Sequence, residues 1–365
     1  MNAPFPLPDG LDTPCVVVDL DVVERNAARM AGAMAARGVS LRPHFKTHKS
    51  VRLARMQLEA GAHGITVGNL GEAEVTVGAG IEDVFIAYPV WAVGPKAARL
   101  RALVEKAPVT IGIDSVAGAE RLAAAADGTG RRLRVLVEVD SGLGRTGVLP
   151  ETAGPIASAA AELRLDVAGI FTHAGHSYLG PEAVADASRD EVASLEAAAD
   201  SLREAGIEPR VRSAGSTPTA LSSAAGDVNE MRAGTYLLGD GQQVALGGTP
   251  DDGVALVVAT TVVSTSVEEQ VVVDAGAKIL TKDQAPFMPG YGELAGYPGA
   301  IVERLNDYHG MVPLPATGRR PHLGEVLAIV PNHVCPVVNL VDDFVVVRNG
   351  AIVDRWPVDA RGLNG

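Results

Sequence analysis

The chain has 365 residues, 47% of them hydrophobic, so it can bury one large core and a smaller second one. Its formal net charge is −13 without a dense basic stretch, which argues against a nucleic-acid partner. We expect no membrane span, because no run of about 18 apolar residues occurs. The start lacks the features of a signal peptide, and there are only two cysteines, so we expect a cytoplasmic protein.

Short β-branched runs alternate with alanine- and leucine-rich helical segments as far as about residue 240. The predicted strands are Leu41–Phe45, Gly64–Val67, Val84–Ala87, Val109–Ile113, Arg134–Val139, Val167–Thr172, Arg210–Arg212 and Glu230–Tyr236. The helical segments are Ser50–Ala60, Leu70–Ala79, Gly94–Glu105, Val116–Ala126, Pro150–Leu163 and Arg189–Ala205. An open doubly wound sheet would alternate in the same way, but eight consecutive units favour an α/β fold of the closed (β/α)8 barrel type.

The pattern changes near residue 250, where helical periodicity fades. Strands are predicted at Val254–Ser266, Glu269–Asp274, Glu325–Val330 and Asp343–Arg348, with a turn signal at Asn349-Gly350. We therefore predict a barrel over residues 1–245 and a second, mostly β domain over residues 246–365. An early strand at Cys15–Val18 could pair with either domain.

Polar residues follow the predicted barrel strands at the points where those strands end. The carboxyl ends of barrel strands carry the chemistry of such folds, so these residues should meet at one rim. They are Lys46 after the first strand, Asp140 and Arg145 after the fifth, His173 and His176 after the sixth, 213–217 after the seventh, and 232–235 on the eighth. This convergence predicts an active site.

Lys46 follows an apolar strand and lies among histidines and arginines. An arbitrary lysine in such a string would be a surface charge. A lysine in a partly desolvated, cationic setting has a lowered pKa, which suits an imine-forming amine. The turn Ser213-Ala214-Gly215-Ser216-Thr217 offers N–H groups and hydroxyls for a phosphate, and Gly234-Thr235 resembles the second of two phosphate loops.

A second constellation, His333 and Cys335, lies near the C-terminus. In an extended segment the two side chains point to the same face and could bind one zinc ion. A lone His-x-Cys is more often a buried structural cysteine near a hydrogen-bonded histidine. If a metal is bound, two protein ligands leave positions for water or substrate, as a catalytic site requires.

Together these residues resemble the fold-type III pyridoxal-phosphate (PLP) enzymes, the alanine racemase-like barrels, and within them the D-threonine aldolase/D-serine dehydratase family. The resemblance runs over nearly the whole chain. Its motifs are Thr13-Pro14-Cys15-Val16-Val17-Val18-Asp19-Leu20, Arg42–Lys49, Asp140–Val148, Thr172–Tyr178, Gly215-Ser216-Thr217, Arg232–Tyr236, Asp274-Ala275-Gly276 and the His333/Cys335 segment. Their order and number make the resemblance specific.

The resemblance implies a role for each residue. Lys46 would carry PLP as a Schiff base, His173 would lie against its ring, Arg145 near its phenolic oxygen and Arg232 at its pyridine nitrogen. The phosphate would be bound by Gly215, Ser216, Thr217, Gly234 and Thr235. His333 and Cys335 would bind a divalent metal, zinc before manganese or magnesium, and Tyr178 and His176 would serve the substrate or proton transfer. The family usually forms homodimers.

The metal beside the cofactor implies a small-molecule substrate, a D-3-hydroxy amino acid, from which two lyase reactions follow. Cleavage of Cα–Cβ would give glycine and an aldehyde, and loss of the hydroxyl would give a keto acid and ammonia. Family aldolases typically carry His-x-Asp and dehydratases His-x-Cys, so Cys335 favours dehydration. Weaker alternatives are an amino-acid racemase, a non-catalytic PLP-binding protein, and a barrel enzyme without PLP. The racemase is disfavoured because this chain has Ser50 at the position where alanine racemase has a phosphate-binding tyrosine.

Overall fold

After a first strand, β1 Cys15–Asp19, the chain forms a barrel in the computed structural model, which describes residues 4–365. The barrel strands are β2 Ser40–Leu41, β3 Ile65–Val67, β4 Val84–Pro89, β5 Val109–Ile113, β6 Arg134–Val139, β7 Asp166–Thr172, β8 Val211–Ala214 and β9 Glu230–Met231. They pair in the order β2-β9-β8-β7-β6-β5-β4-β3, all in parallel. The Thr66 N–H donates to the Pro43 carbonyl at 2.9 Å, which joins β3 back to the segment that follows β2. The eight-stranded barrel predicted from the sequence is confirmed.

Strands β2 and β9 are shorter than predicted, because the chain turns away soon after each begins. A 3-10 turn, Phe45–Thr47, replaces the end of the predicted strand Leu41–Phe45. A second one, Thr235–Leu237, replaces the end of the predicted Glu230–Tyr236. These turns place Lys46 and Thr235 at the mouth of the barrel instead of in its wall.

Helices cover the outside of the barrel. They are α1 Leu20–Ala35, α2 Val51–Glu59, α3 Leu70–Gly78, α4 Pro95–Lys106, α5 Val116–Ala126, α6 Ala153–Glu162, α7 Val184–Glu204, α8 Ala220–Ser223 and α9 Gly241–Ala245. Helix α6 has small residues on its buried face, and a Cβ on Gly154 would lie 2.2 Å from the Ser201 carbonyl oxygen of α7. The alanine-rich composition therefore serves close helix packing. No helix of the described residues is both long enough and apolar enough to cross a membrane.

The barrel interior has polar ends and an aromatic middle. Phe85 and Phe171 meet edge to face, with ring centroids 5.0 Å apart. On one side of them the buried Arg42 Nε donates to Glu230 Oε2 at 2.8 Å. On the other side the Arg232 guanidinium lies over Phe171, 5.2 Å from the ring centroid. The barrel interior is thus a packed core, and its layer with Arg232 lies just below the rim formed by the carboxyl ends of the strands.

The remaining residues build a nine-stranded sheet together with β1. Its other strands are β10 Leu256–Ser264, β11 Gln270–Val273, β12 Gly292–Leu294, β13 Arg304–Leu305, β14 Gly310–Pro313, β15 Val326–Pro331, β16 Asp343–Arg348 and β17 Ala351–Pro357, with helices α10 Ala277–Leu280 and α11 Val334–Val338. Strand β1 lies between β10, antiparallel, and β16, parallel. The second mostly β domain is confirmed, and the early strand belongs to its sheet.

Candidate active site

A cavity of about 450 Å³ opens at the carboxyl ends of the barrel strands. Ten of the residues predicted for the site line it: Lys46, Arg145, His173, Tyr178, Gly215, Ser216, Thr217, Arg232, Gly234 and Thr235. Three do not: His176, His333 and Cys335. The convergence expected from the strand ends is therefore present for most of the set.

Lys46 projects into this cavity from the turn Phe45–Thr47, whose two end residues are buried. The turn forms because His44, in an extended conformation before it, accepts a hydrogen bond from the Lys46 N–H through Nδ1 at 3.3 Å. Burial lowers the pKa of Lys46, and Arg145 adds to this effect while the Cys335 thiolate opposes it. The amine is thus more readily neutral than an ordinary lysine, which suits a residue that forms an imine.

His173 is a neutral imidazole with a defined tautomer. Its Nδ1 lies 3.1 Å from the Gly215 carbonyl oxygen, which can only accept, so Nδ1 carries the proton. Burial, with Lys46 and Arg145 nearby, lowers the pKa of His173 to about 3. The ring of Tyr178 lies 6.4 Å from the His173 ring, and the Gln243 amide donates to its hydroxyl at 3.5 Å.

The small residues after β8 and β9 fit a phosphate group. The N–H groups of Ser216, Gly234 and Thr235 have no hydrogen-bond acceptor among residues 4–365, and all three residues line the cavity. The Thr217 hydroxyl accepts from the Tyr236 N–H at 3.2 Å, which ties the two loops together. Free N–H groups from two neighbouring loops are the donor set that binds a phosphate dianion.

Gly215 contributes its conformation instead of its N–H. That N–H already donates at 2.7 Å to Glu191, a buried carboxylate on α7. Its φ of +128° lies in the region that favours glycine, and a Cβ there would lie 2.6 Å from the sulfur of Met231. The sequence did not reveal Glu191, because a glutamate on an amphipathic helix is usually at the surface.

Arg232 is held rigidly under the cavity. Its Nη1 donates to the Ser213 hydroxyl at 2.6 Å, its Nη2 donates to the Thr172 carbonyl, and its guanidinium lies over Phe171. Burial lowers its pKa, although Glu230 opposes the effect. A fixed guanidinium is suited to face a ring nitrogen and keep it unprotonated.

Glu138 is a cavity residue that the sequence analysis missed. One oxygen accepts from the Thr146 hydroxyl at 2.8 Å and lies 3.9 Å from Arg145 Nη2, and the other is buried with no partner among the described residues. Burial raises the pKa of Glu138, against the influence of Thr146 and Arg145. A signal was available, because a glutamate inside the otherwise apolar strand Arg134–Val139 needs a reason to be there.

His176 does not reach the cavity. Its Nε2 lies 3.3 Å from Asp190 Oδ2 on α7, and its Nδ1 is buried without a partner among residues 4–365. The 3-10 turn Gly175–Leu179 places Tyr178 in the cavity wall and His176 behind it. The structure therefore supports Tyr178 and gives no support to His176 as a site residue.

His333 and Cys335 lie beside the cavity but not in an extended segment, so that part of the prediction is wrong. Helix α11 begins at Val334, and only His333 is extended. The two side chains still contact each other, and the Cys335 thiol lies 3.5 Å from the Thr47 hydroxyl, next to Lys46. The helical turn thus brings the pair to the lysine turn.

Charges around this pair favour a histidine–thiolate arrangement. Burial alone would lower the pKa of His333, but Cys335, Asp240 and Asp283 raise it to about 10. Burial alone would raise the pKa of Cys335, but His333 and Lys46 lower it. The His333 Nδ1 lies 2.5 Å from Asp283 Oδ2, so Nε2 would be the nitrogen that binds a metal.

The donor types fit a divalent metal with an incomplete protein shell. Within residues 4–365 no group of three or more His, Cys, Asp and Glu side chains comes together as a metal site. Imidazole and thiolate are the donors that zinc prefers, and an open coordination sphere is typical of catalytic zinc. Asp240 and Asp283 support the pair from outside, and neither could be anticipated from the sequence, since both are distant along the chain.

Comparisons with known proteins agree with this geometry. The family model for the alanine racemase N-terminal domain matches residues 18–242, and that for a putative serine dehydratase domain matches residues 255–347. D-threonine aldolase from Arthrobacter sp. is 34% identical over 97% of this chain and 94% of its own length. D-threo-3-hydroxyaspartate dehydratase from Delftia sp. is 37% identical over 89% of this chain and 91% of its own length.

Solved structures give the same result. The crystal structure of D-threonine aldolase from Filomicrobium marinum matches with a TM-score of 0.90 and 32% identity, covering 100% of both chains. The Delftia dehydratase matches with a TM-score of 0.85 and 34% identity, covering 95% of this chain and 97% of that one. Its structures include a histidine-to-alanine mutant and, two positions further along, a cysteine-to-alanine mutant in the metal-free form. This chain belongs to the D-threonine aldolase/D-serine dehydratase family of fold-type III, PLP-dependent lyases.

Proposed function

We propose that this chain is a PLP- and divalent-metal-dependent lyase for D-3-hydroxy amino acids that releases a keto acid and ammonia. One observation carries the proposal: the His333/Cys335 pair adjoins the turn that bears Lys46, with Cys335 Sγ 3.5 Å from the Thr47 hydroxyl. A metal bound there would be next to the substrate's β-hydroxyl when its amine is bound at the cofactor. The activities of the Arthrobacter and Delftia relatives support this substrate class.

The cofactor would be bound at its two ends. Lys46 would be its covalent anchor, and the phosphate would be bound by Ser216, Thr217, Gly234 and Thr235 in the conformation that Gly215 permits. Arg232 would face the pyridine nitrogen and Arg145 the phenolic oxygen, with Glu138 behind Arg145. When bound, PLP withdraws electrons from the substrate's α-carbon.

The residues of the chain then act on protons. Lys46 Nζ, whose pKa is lowered, would be suited to take the proton from the α-carbon of the bound substrate. His173 stays neutral above its pKa of about 3, so it would pack against the cofactor ring without adding positive charge. The fixed Arg232 would disfavour protonation of the cofactor's ring nitrogen, which would limit the spread of negative charge into the ring and suit rapid loss of the β-hydroxyl.

The metal is proposed to be zinc because its protein donors would be one imidazole and one thiolate; manganese and magnesium prefer oxygen donors. The paired mutants of the Delftia dehydratase, one of them in the metal-free form, support a metal role for the equivalent spacing in this chain. The open positions would be filled by water and by the substrate hydroxyl, which the metal helps to leave.

Cleavage to glycine and an aldehyde is the second candidate. It is favoured by the similarity to two D-threonine aldolases, one of which matches the whole chain. Cys335 favours dehydration, since aldolases of the family typically have aspartate at this position. Both reactions need the same cofactor, metal and substrate class, so product analysis must separate them.

The deciding experiment incubates purified protein, loaded with PLP and zinc, with D-serine, D-threonine and D-threo-3-hydroxyaspartate. We expect keto acid and ammonia in equal amounts; glycine plus an aldehyde would instead establish the aldolase, and an L-isomer the racemase. Lys46→Ala should lose both turnover and the visible absorbance of the bound cofactor, whereas Lys96→Ala, an exposed lysine on α4, should keep both. No turnover of any substrate would refute the proposed function.

We also propose a homodimer. Large apolar side chains are exposed around the cavity mouth, among them Tyr88 at 50%, Trp91 at 51% and Leu179 at 64%. A second copy covering this rim would bury them and exclude water from the site. Sedimentation of the purified protein as a monomer at micromolar concentration would contradict this.

A further inference from the structure

Asp240 is a fully buried carboxylate that lies outside the cavity lining, at the start of α9. Its Oδ1 accepts from the Gln243 N–H at 2.8 Å, which makes it the N-cap of α9. Its Oδ2 accepts from the Val334 N–H at 2.9 Å, at the start of α11. One carboxylate therefore caps two short helices that are 94 residues apart in the chain.

Val334 stands between the two residues of the metal pair. The Val334 N–H is part of the peptide bond between His333 and Val334. The position of this peptide therefore fixes the backbone from which the His333 and Cys335 side chains extend. Helix α11 has no side-chain cap of its own, because His333 makes no such hydrogen bond. Asp240 supplies the missing cap from the barrel side.

A second contact holds the same segment against the barrel. The Gln242 N–H donates to the Asn332 carbonyl at 3.0 Å, immediately before His333. The Gln243 side chain reaches the Tyr178 hydroxyl in the cavity wall at 3.5 Å. The turn at residues 240–243 is therefore joined both to the metal-pair segment and to the cavity.

We propose that Asp240 is a positioning residue for the metal centre: through the Val334 N–H it holds His333 and Cys335 in the spacing that binds the ion. The inference rests on the metal site of the proposed function. Asp240 lies outside the cavity lining, so it would act through the peptide backbone and not by contact with the metal, cofactor or substrate. Supporting groups of this kind typically change metal affinity by about 10- to 100-fold when removed.

Two variants weaken this contact in different ways. Asp240→Asn offers one acceptor oxygen, and its NH2 group would face the other N–H, so one cap is lost. Asp240→Ser retains a side-chain cap for α9 but is too short to reach Val334. The matched control is Asp19→Asn, because Asp19 is also buried and caps α1 through the Asp21 and Val22 N–H groups at 2.8 and 3.1 Å, in a helix that carries no site residue.

Zinc affinity is measured by competition with a chromophoric chelator on PLP-loaded protein, and hydrogen exchange is measured in peptides covering residues 332–340 of the metal-free protein. We expect both Asp240 variants to bind zinc about 10-fold or more weakly than wild type, with faster exchange in that segment. Cofactor absorbance should be unchanged in both, and Asp19→Asn should match wild type in zinc affinity.

Three results would count against the idea in distinguishable ways. Wild-type affinity for zinc in both Asp240 variants would refute the positioning role and leave the proposed function intact. Loss of cofactor together with zinc in both variants would show that Asp240 supports the whole fold and not the metal pair. Failure of the wild-type protein itself to bind zinc or another divalent ion would refute the metal site of the proposed function, and this inference with it.

Discussion

Replacement of Glu230 by glutamine should destabilise the barrel strongly. The Glu230 side chain is 6% exposed, and its Oε2 lies 2.8 Å from Arg42 Nε and 3.1 Å from His63 Nε2. Its Oε1 accepts from the Ser213 hydroxyl at 2.6 Å, and Ser213 in turn accepts from Arg232. Glutamine keeps one acceptor but turns an NH2 group towards the arginine.

The size of the destabilisation depends on which hydrogen-bond partners Arg42 retains. Removal of one partner from a buried ion pair costs roughly 3–5 kcal/mol, because a charge is left buried without compensation. Arg42 keeps two hydrogen bonds to the Asp83 carboxylate, at 2.8 and 3.0 Å, and the Asp83 side chain is 43% exposed. We therefore expect the lower end, about 3 kcal/mol, from urea unfolding followed by circular dichroism at neutral pH.

The pH dependence provides a further check. Burial would raise the pKa of Glu230, but Arg42, His63 and Ser213 lower it well below the ordinary 4.5. Its stabilising contribution is therefore complete above about pH 4.5 and is lost as the pH falls towards the folded-state pKa. The stability difference between wild type and Glu230→Gln should be constant above that pH and shrink below it.

An exposed ion pair is the control. Arg203 and Asp200 are 2.9 Å apart, with side chains 37% and 71% exposed, so Asp200→Asn should change stability by less than about 1 kcal/mol. If Glu230→Gln unfolds at the wild-type urea concentration, or if its deficit does not shrink in acid, the buried pair is not the stabilising element that its geometry indicates.

Three further predictions concern other parts of the molecule. Asp283→Asn removes the carboxylate that orients the His333 ring, so zinc affinity should fall about 10-fold while cofactor absorbance is kept. Unchanged zinc affinity in chelator competition would show that Asp283 does not orient the ring. Gly154→Ala places a Cβ 2.2 Å from the Ser201 carbonyl oxygen, so unfolding free energy should fall by about 1–3 kcal/mol, and an unaltered melting temperature would show that α6 and α7 can separate freely. His173, with a pKa of about 3, should show no protonation by NMR at any pH above about 5; a titration near neutrality would be inconsistent with its burial beside Lys46.

The barrel could be predicted from the sequence because its elements obey local rules. Val109–Ile113 and Arg134–Val139 are short runs of mostly apolar residues bounded by turns, and their predicted limits agree with the structure. The predicted strand Glu230–Tyr236 instead ends after Met231, and Gly234 beyond it lies so close to His44 that a Cβ would be 2.9 Å from the His44 Cβ. Such tertiary contacts have no local signal.

The residues of the candidate site also differ in whether the sequence alone could place them. Lys46 could be placed because it follows a predicted strand that ends at the rim, whereas Thr235 was predicted inside a strand and reaches the rim through the turn Thr235–Leu237. Asp240 could not be placed, since its meaning comes from the Val334 N–H far along the chain. His176 was predicted as a site residue because it follows the sixth predicted strand, close to Tyr178 in the sequence. The 3-10 turn there places Tyr178 in the cavity wall and His176 outside it.

The place of β1 bears on how the protein can be cut. Val17 of β1 pairs with Val257 on one side and with Val345 on the other, so the amino-terminal strand fills the middle of the carboxyl-terminal sheet. A fragment starting near residue 246 would lack this strand and expose two apolar, unpaired strand edges, which invite aggregation. A separable version of the second domain must carry the Cys15–Asp19 segment with it, grafted as an extra strand or supplied as a peptide.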